Sequence, residues 1–119
     1  MTTGFQMNLH IKVPGKRWHE ALSLLRPLME PTRALPECIS CVLHQDEEAS
    51  GSLWLIEEWA AEAALMRYVR SDAFRMIIEA MELSVNEPDL RFRRFQEMGS
   101  LDRVEQARHG VISNIPTSG

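Results

Sequence analysis

Cysteine is scarce in this chain. Cys38 and Cys41 are the only two among 119 residues, too few for a disulfide scaffold. No stretch approaches the run of about 18 consecutive apolar residues that reads as a membrane-crossing helix. The opening Met1-Thr2-Thr3-Gly4-Phe5-Gln6 lacks the basic and apolar regions of a secretory signal, so a cytoplasmic location is expected. Basic charge is in deficit. Lys and Arg total 13 against 17 Asp and Glu, for a formal net charge of −4 and a pI near 5.5. That balance argues against nucleic acid or an anionic membrane as main partner, because both need a basic face. Also missing are a phosphate loop, a nucleophile elbow, a dinucleotide fingerprint and any metal-ligand spacing.

What is present suits one soluble domain: 45% of residues are hydrophobic and 25% charged. A chain of this length buries only about two thirds of the surface it exposes when unfolded, so an obligate dimer would enlarge its core. Phe5, Met7, Leu9, Ile11 and Val13 alternate with Gln6, Asn8, His10 and Lys12. That period of two predicts a strand with one apolar and one polar face, ended by Pro14-Gly15. Trp18, Leu22, Leu25 and Met29, widened by Ala21, Leu24 and Leu28, form a helical stripe from about residue 16 to 34. Pro27 and Pro31 fall inside it and predict a kink near the first and a break at the second. Residues 38–45 and 52–59 read as two strands of a hairpin around a polar loop at 46–51. A short helix over 61–70 follows, then a second opening at Ser71-Asp72 with Phe74, Ile77, Ile78 and Met81 on one stripe. Residues 90–98 read as a fourth strand. The tail from 99 to 119 is expected to be partly disordered, with a short helix near 101–108. The order β-α-β-β-α-α-β suits a ferredoxin-like split βαβ sheet with helices on one face. A single helical layer leaves the other face uncovered, and a two-fold homodimer would bury it.

Several segments carry a family resemblance. They are Pro14-Gly15-Lys16 after the first strand, and Glu30-Pro31-Thr32-Arg33-Ala34-Leu35-Pro36-Glu37-Cys38 before the second. Glu57-Glu58-Trp59 closes the third strand, with Ala63-Ala64-Leu65 after it, and Tyr68-Val69-Arg70-Ser71-Asp72-Ala73-Phe74-Arg75 completes the set. Together they cover about residues 5–98, taken as the domain, and the chain resembles the antibiotic biosynthesis monooxygenase family. The resemblance implies a dimeric α+β barrel. It also implies a cofactor-free, metal-free oxidation of a quinol or polycyclic phenol by molecular oxygen, in a cavity between sheet and helices.

The residues that could carry such chemistry each have a plainer role open to them. Trp59 stands where the family tryptophan stands. It could stack on an aromatic substrate and donate its indole N–H, or only fill the core. On the polar face of the first strand, Asn8 could orient a substrate oxygen and His10 could remove a phenolic proton. Both could equally belong to a polar sheet face. Tyr68 replaces the histidine of many relatives. Its hydroxyl could hold a substrate oxygen, but it is a weak base at neutral pH. Ile78 stands where the haem-degrading branch has its histidine ligand, and isoleucine cannot ligate iron. Cys38 and Cys41, three apart on a strand, are expected on opposite faces, which disfavours redox or zinc pairing and favours a core role. Glu57 and Glu58, adjacent on a strand, cannot form a facing acid/base pair. Arg91, Arg93 and Arg94 suit a solvated edge or a dimer salt-bridge patch. The first functional expectation is a cofactor-independent monooxygenase, with Trp59 stacking, Asn8 and Tyr68 hydrogen bonding and His10 as base. The second is a non-catalytic module that binds an aromatic ligand. A haem protein comes third.

Overall fold

The strict alternation of the first strand is realised from Met7 to Lys12. In the structure, a computed structural model that describes residues 2–46 and 51–97, β1 runs Thr2–Lys12 and buries Met7, Leu9 and Ile11 on one face. A 3-10 turn at Gly15–Arg17 leads into α1, Trp18–Arg33. β2 is Cys38–Asp46 and β3 is Ser52–Trp59, followed by α2 at Glu62–Val69, α3 at Asp72–Glu82 and β4 at Asp89–Glu97. The strands form one antiparallel sheet in the order β2-β3-β1-β4. This is the expected ferredoxin-like α+β architecture. The expectations for the tail from 99 to 119 lie outside the described residues.

All three helices lie on one face of the sheet. α1 meets that face through Trp18, Ala21, Leu22, Leu25, Met29 and Thr32, all buried. α3 adds Phe74, Ile77 and Ala80 to the same core. Burying a large apolar side chain contributes on the order of 1.5–3 kcal/mol, so this shared layer holds the fold together. The break expected at Pro31 does not occur, and α1 continues to Arg33. Pro27 and Pro31 are both exposed. The carbonyls they leave unpaired, four residues earlier, therefore lie on the solvent side of the helix, where losing the partner costs least.

The opposite face is uncovered within one chain. It carries Gln6, Asn8, His10 and Lys12 from β1, set beside Glu58, Ile56, Trp54 and Ser52 of β3. Val42 and His44 of β2 pair with the same Ile56 and Trp54. Val42 is 38% exposed, and Trp54 and Ile56 are half-buried. Val42, Trp54 and Ile56 thus form an apolar patch on the β2 and β3 part of this face, beside the polar positions of β1.

The expectation that Cys38 and Cys41 point to opposite faces is corrected. A β-bulge between Cys38 and Ser40 places Cys38 opposite Trp59 and Cys41 opposite Glu57. The extra residue in β2 cancels the half-period that separation by three would impose. Both thiols therefore belong to the helix-covered face.

Candidate functional site

At the Trp59 end of β3 a cavity of about 470 Å³ opens between the last turns of α1, α2 and the start of α3. Its walls are apolar: Leu28 and Pro31 of α1, Leu35 and Pro36 beyond it, Ala64 of α2 and Ala73 of α3. Its buried floor is made by Trp59, Tyr68 and Thr32. Exposed Glu37 and Arg67 flank the mouth. The volume and apolar lining suit a small, flat organic molecule.

Trp59 and Tyr68 are therefore together, with ring centroids 5.0 Å apart and planes tilted by 39°. Phe74 meets Tyr68 edge-on at 6.0 Å. The Trp59 indole N–H is already engaged, donating to Glu57 Oε1 at 3.1 Å. What Trp59 offers a ligand is its ring and not its N–H. The Tyr68 hydroxyl lies 3.2 Å from Thr32 Oγ1.

Asn8 and His10 are not in this cavity. Both side chains lie on the uncovered face of the sheet, on the far side of β1 from the helices. There the His10 ring stacks on Trp54, with centroids 4.5 Å apart and planes 11° apart. His10 Nε2 also hydrogen-bonds Ser52 Oγ at 3.1 Å. The sheet therefore separates the four residues into two pairs. Ile78 is 45% exposed on α3 and does not line the cavity.

Sequence reasoning passed over Glu57. It is fully buried, directly behind the floor residues. The signal was visible in β3, where Leu53, Leu55, Glu57 and Trp59 share a face, so a carboxylate occupies an apolar register. Burial pushes its pKa up to about 7, against the opposing pull of hydrogen bonds from Trp59, Tyr68 and Cys41. The same burial, aided by the Glu57 charge, drives the Cys38 and Cys41 thiols up to about 11 and about 12. At neutral pH both stay protonated and poorly nucleophilic. Burial, again aided by Glu57, also drives Tyr68 upward, so its hydroxyl stays protonated as a hydrogen-bond donor. Glu58 lies on the uncovered face, where its Oε1 accepts from Ser40 Oγ at 3.2 Å. Arg91 pairs with Asp89 at 2.9 Å and Arg94 with Glu62 at 3.8 Å, both exposed. Among the described residues no group of three His, Cys, Asp or Glu side chains is placed to hold a metal ion.

Comparison with known proteins agrees with this architecture. The model of the family described as antibiotic biosynthesis monooxygenase matches residues 5–80. An uncharacterized protein of Synechocystis is 27% identical over 93 residues, covering 77% of this chain, and the chain spans 63% of the length of that relative. Among solved structures, a conserved protein of Methanosarcina mazei superposes with a TM-score of 0.67 at 21% identity, over 82% of this chain and 95% of its own. A protein of Caulobacter crescentus gives 0.69 at 19%, over 81% and 92%. A structure described as an antibiotic biosynthesis monooxygenase gives 0.65 at 23%, over 80% and 99%. At such identities these likenesses establish the fold.

Proposed function

The chain belongs to the antibiotic biosynthesis monooxygenase family, and from that premise we propose that it is a cofactor-independent monooxygenase acting on a small quinol or polycyclic phenol in the cavity above Trp59 and Tyr68. The supporting observation is the cavity itself, with largely apolar walls, hydroxyl groups at its floor and charged residues at its mouth. A flat aromatic ring stacks against Trp59 and places its oxygen at the Tyr68 hydroxyl. In the oxidation of an anthrone, a methylene becomes a carbonyl. One atom of dioxygen enters the product and the other leaves as water with the two hydrogens, the substrate supplying all the electrons. The protein's part is to exclude water, orient the ring and stabilise the anion that reacts with oxygen.

Oxygen consumption with a panel of quinols and anthrones tests the reading. Uptake with a quinone product and no added cofactor is the expected result. One observation favours a second reading, a module that binds an aromatic ligand without changing it: among the described residues no histidine lines the cavity, and by the family resemblance Tyr68 stands where many relatives carry one. In that case the panel shows binding, and the ligand is recovered unchanged.

The same reading includes a homodimer that closes the uncovered sheet face, with the patch of Val42, Trp54 and Ile56 in the interface. Asn8 and His10 then line the space between the two sheets. Sedimentation at micromolar concentration is expected to give twice the chain mass of 13.7 kDa. A Val42→Asp variant, which buries an unpaired charge in that interface, is expected to sediment as a monomer. A parent that sediments as a monomer removes the dimer from the reading.

A further inference from the structure

Two charged side chains at the mouth of the cavity have no part in the reaction as outlined. Arg67 lies in the last turn of α2, and Glu37 in the connection from α1 to β2. Both line the opening. Among the described residues no ion pair or side-chain hydrogen bond engages either of them. For Arg67 the sequence explains why. A charged side chain on a helix finds its partners three or four residues away. Arg17 has Glu20 and Arg75 has Asp72 at such spacing. Around Arg67 the same places hold Ala63, Ala64, Arg70 and Ser71. None is acidic, and Arg70 is a second cation. The Ser71 hydroxyl donates to the Tyr68 carbonyl at 2.6 Å, so its proton is committed. The Arg67 guanidinium is therefore a free donor at the mouth, a planar fork that matches a carboxylate. A plainer role, complementing the C-terminal end of α2, would use Arg67 and Arg70 alike. Arg70 is exposed and does not line the cavity.

We propose that Arg67 selects ligands that carry a carboxylate at the end opposite their hydroxyl, so that the cavity takes flat hydroxyaryl acids. The proposal rests on the cavity reading above. The polar groups of the cavity fall into two sets at different depths. Thr32 Oγ1 and the Tyr68 hydroxyl, 3.2 Å apart, are buried at the floor, and Arg67 is exposed at the rim. A ligand that satisfies both sets has a hydroxyl at its inner end, an apolar ring in its middle and an anion at its outer end. At the rim a carboxylate keeps much of its hydration, so it binds Arg67 without the cost of burying a charge. The net charge of the chain, −4, works against anions at a distance. Glu37 works against them at the mouth itself and repels a carboxylate that is not held by Arg67. A preference for the acid is thus a local property of Arg67.

Calorimetric titration of the full chain tests this with three compounds. The first is para-coumarate, a flat phenol whose carboxylate, ionised at neutral pH, lies at the far end. The second is its methyl ester, with the same body and no charge. The third is ortho-coumarate, whose hydroxyl and acid chain are neighbours on the ring. The parent is expected to bind para-coumarate about tenfold tighter than the ester, the scale of one charge-assisted pair. Ortho-coumarate is expected to bind no tighter than the ester, because it cannot reach floor and rim together. Arg67→Gln brings para-coumarate down to the affinity of the ester and leaves the ester unchanged. Arg70→Gln keeps the preference, and Glu37→Gln widens it. Equal binding of acid and ester by the parent overturns the selection and leaves the cavity reading intact. A preference that survives Arg67→Gln, or that Arg70→Gln weakens as much, also overturns it, since the anion then answers to another group or to the general field. Failure of all three compounds to bind the parent overturns the cavity reading and the selection together.

Discussion

At pH 8 the Glu57→Gln variant is expected to be more stable than the parent by about 3 kcal/mol, and at pH 4 the two are expected to be nearly equal. An ordinary glutamate titrates near 4.5, and burial raises Glu57 to about 7. Between those values the folded chain holds a proton that the unfolded chain has released. Stability falls with rising pH wherever the folded state binds more protons. The contribution of Glu57 is therefore lost from about pH 4.5 upward, and the loss is complete above about pH 7. Glutamine has nearly the same shape, and its side-chain oxygen can still accept from the Trp59 indole, so the variant removes the titration without opening a cavity. Urea denaturation at several pH values measures the difference. Parent stability that stays level with the variant's between about pH 5 and pH 8 would show that Glu57 is held as a comfortable anion.

The second large effect is expected at Trp59. The side chain is 1% exposed, it packs on Tyr68, and it supplies the hydrogen bond to Glu57. Trp59→Ala removes a large buried ring and leaves a carboxylate with one donor fewer, at a cost of about 3–5 kcal/mol. For a domain of this size that lowers the midpoint of thermal unfolding by about 20 °C, a large share of the whole stability of such a chain. Melting followed by circular dichroism reads it directly. Trp59→Phe keeps most of the packing and loses only the indole and its hydrogen bond, so it should fold, with a milder loss. A Trp59→Ala protein that melts within a few degrees of the parent would mean that the cavity collapses freely around the missing ring. Trp59 would then not be the rigid floor on which the functional reading depends.

Much of this molecule was legible in its linear order. A strand or amphipathic helix that borders one core must present apolar residues at its own period, and β1, α1 and α3 do so, with Thr32 of α1 the polar exception. Those local periods, with the turn residues between them, determined the element order and the single helical layer. The segments around Glu30–Cys38, Glu57–Trp59 and Tyr68–Arg75 pointed to the family. The cavity pair Trp59 and Tyr68 was also within reach.

Which residues share a site was decided only in three dimensions. Asn8 and His10 looked like partners of Trp59 because all are functional residue types on neighbouring strands. The side of the sheet on which each one falls is set by register, and Asn8 and His10 fall opposite Ile56 and Trp54, away from the helices. Cys38 and Cys41 were misplaced by the same cause, because one extra residue at the bulge inverts the parity of everything before it. Glu57 was dismissed as half of an adjacent pair, although its parity with Leu53 and Leu55 was there to read. Its raised proton affinity comes from burial under Tyr68 and Trp59, side chains brought from α2 and the strand end by the closing of the helical layer. Local periodicity can place a residue on a face. Desolvation and hydrogen-bond partners arise from contacts between elements distant in sequence, and only the tertiary structure supplies them.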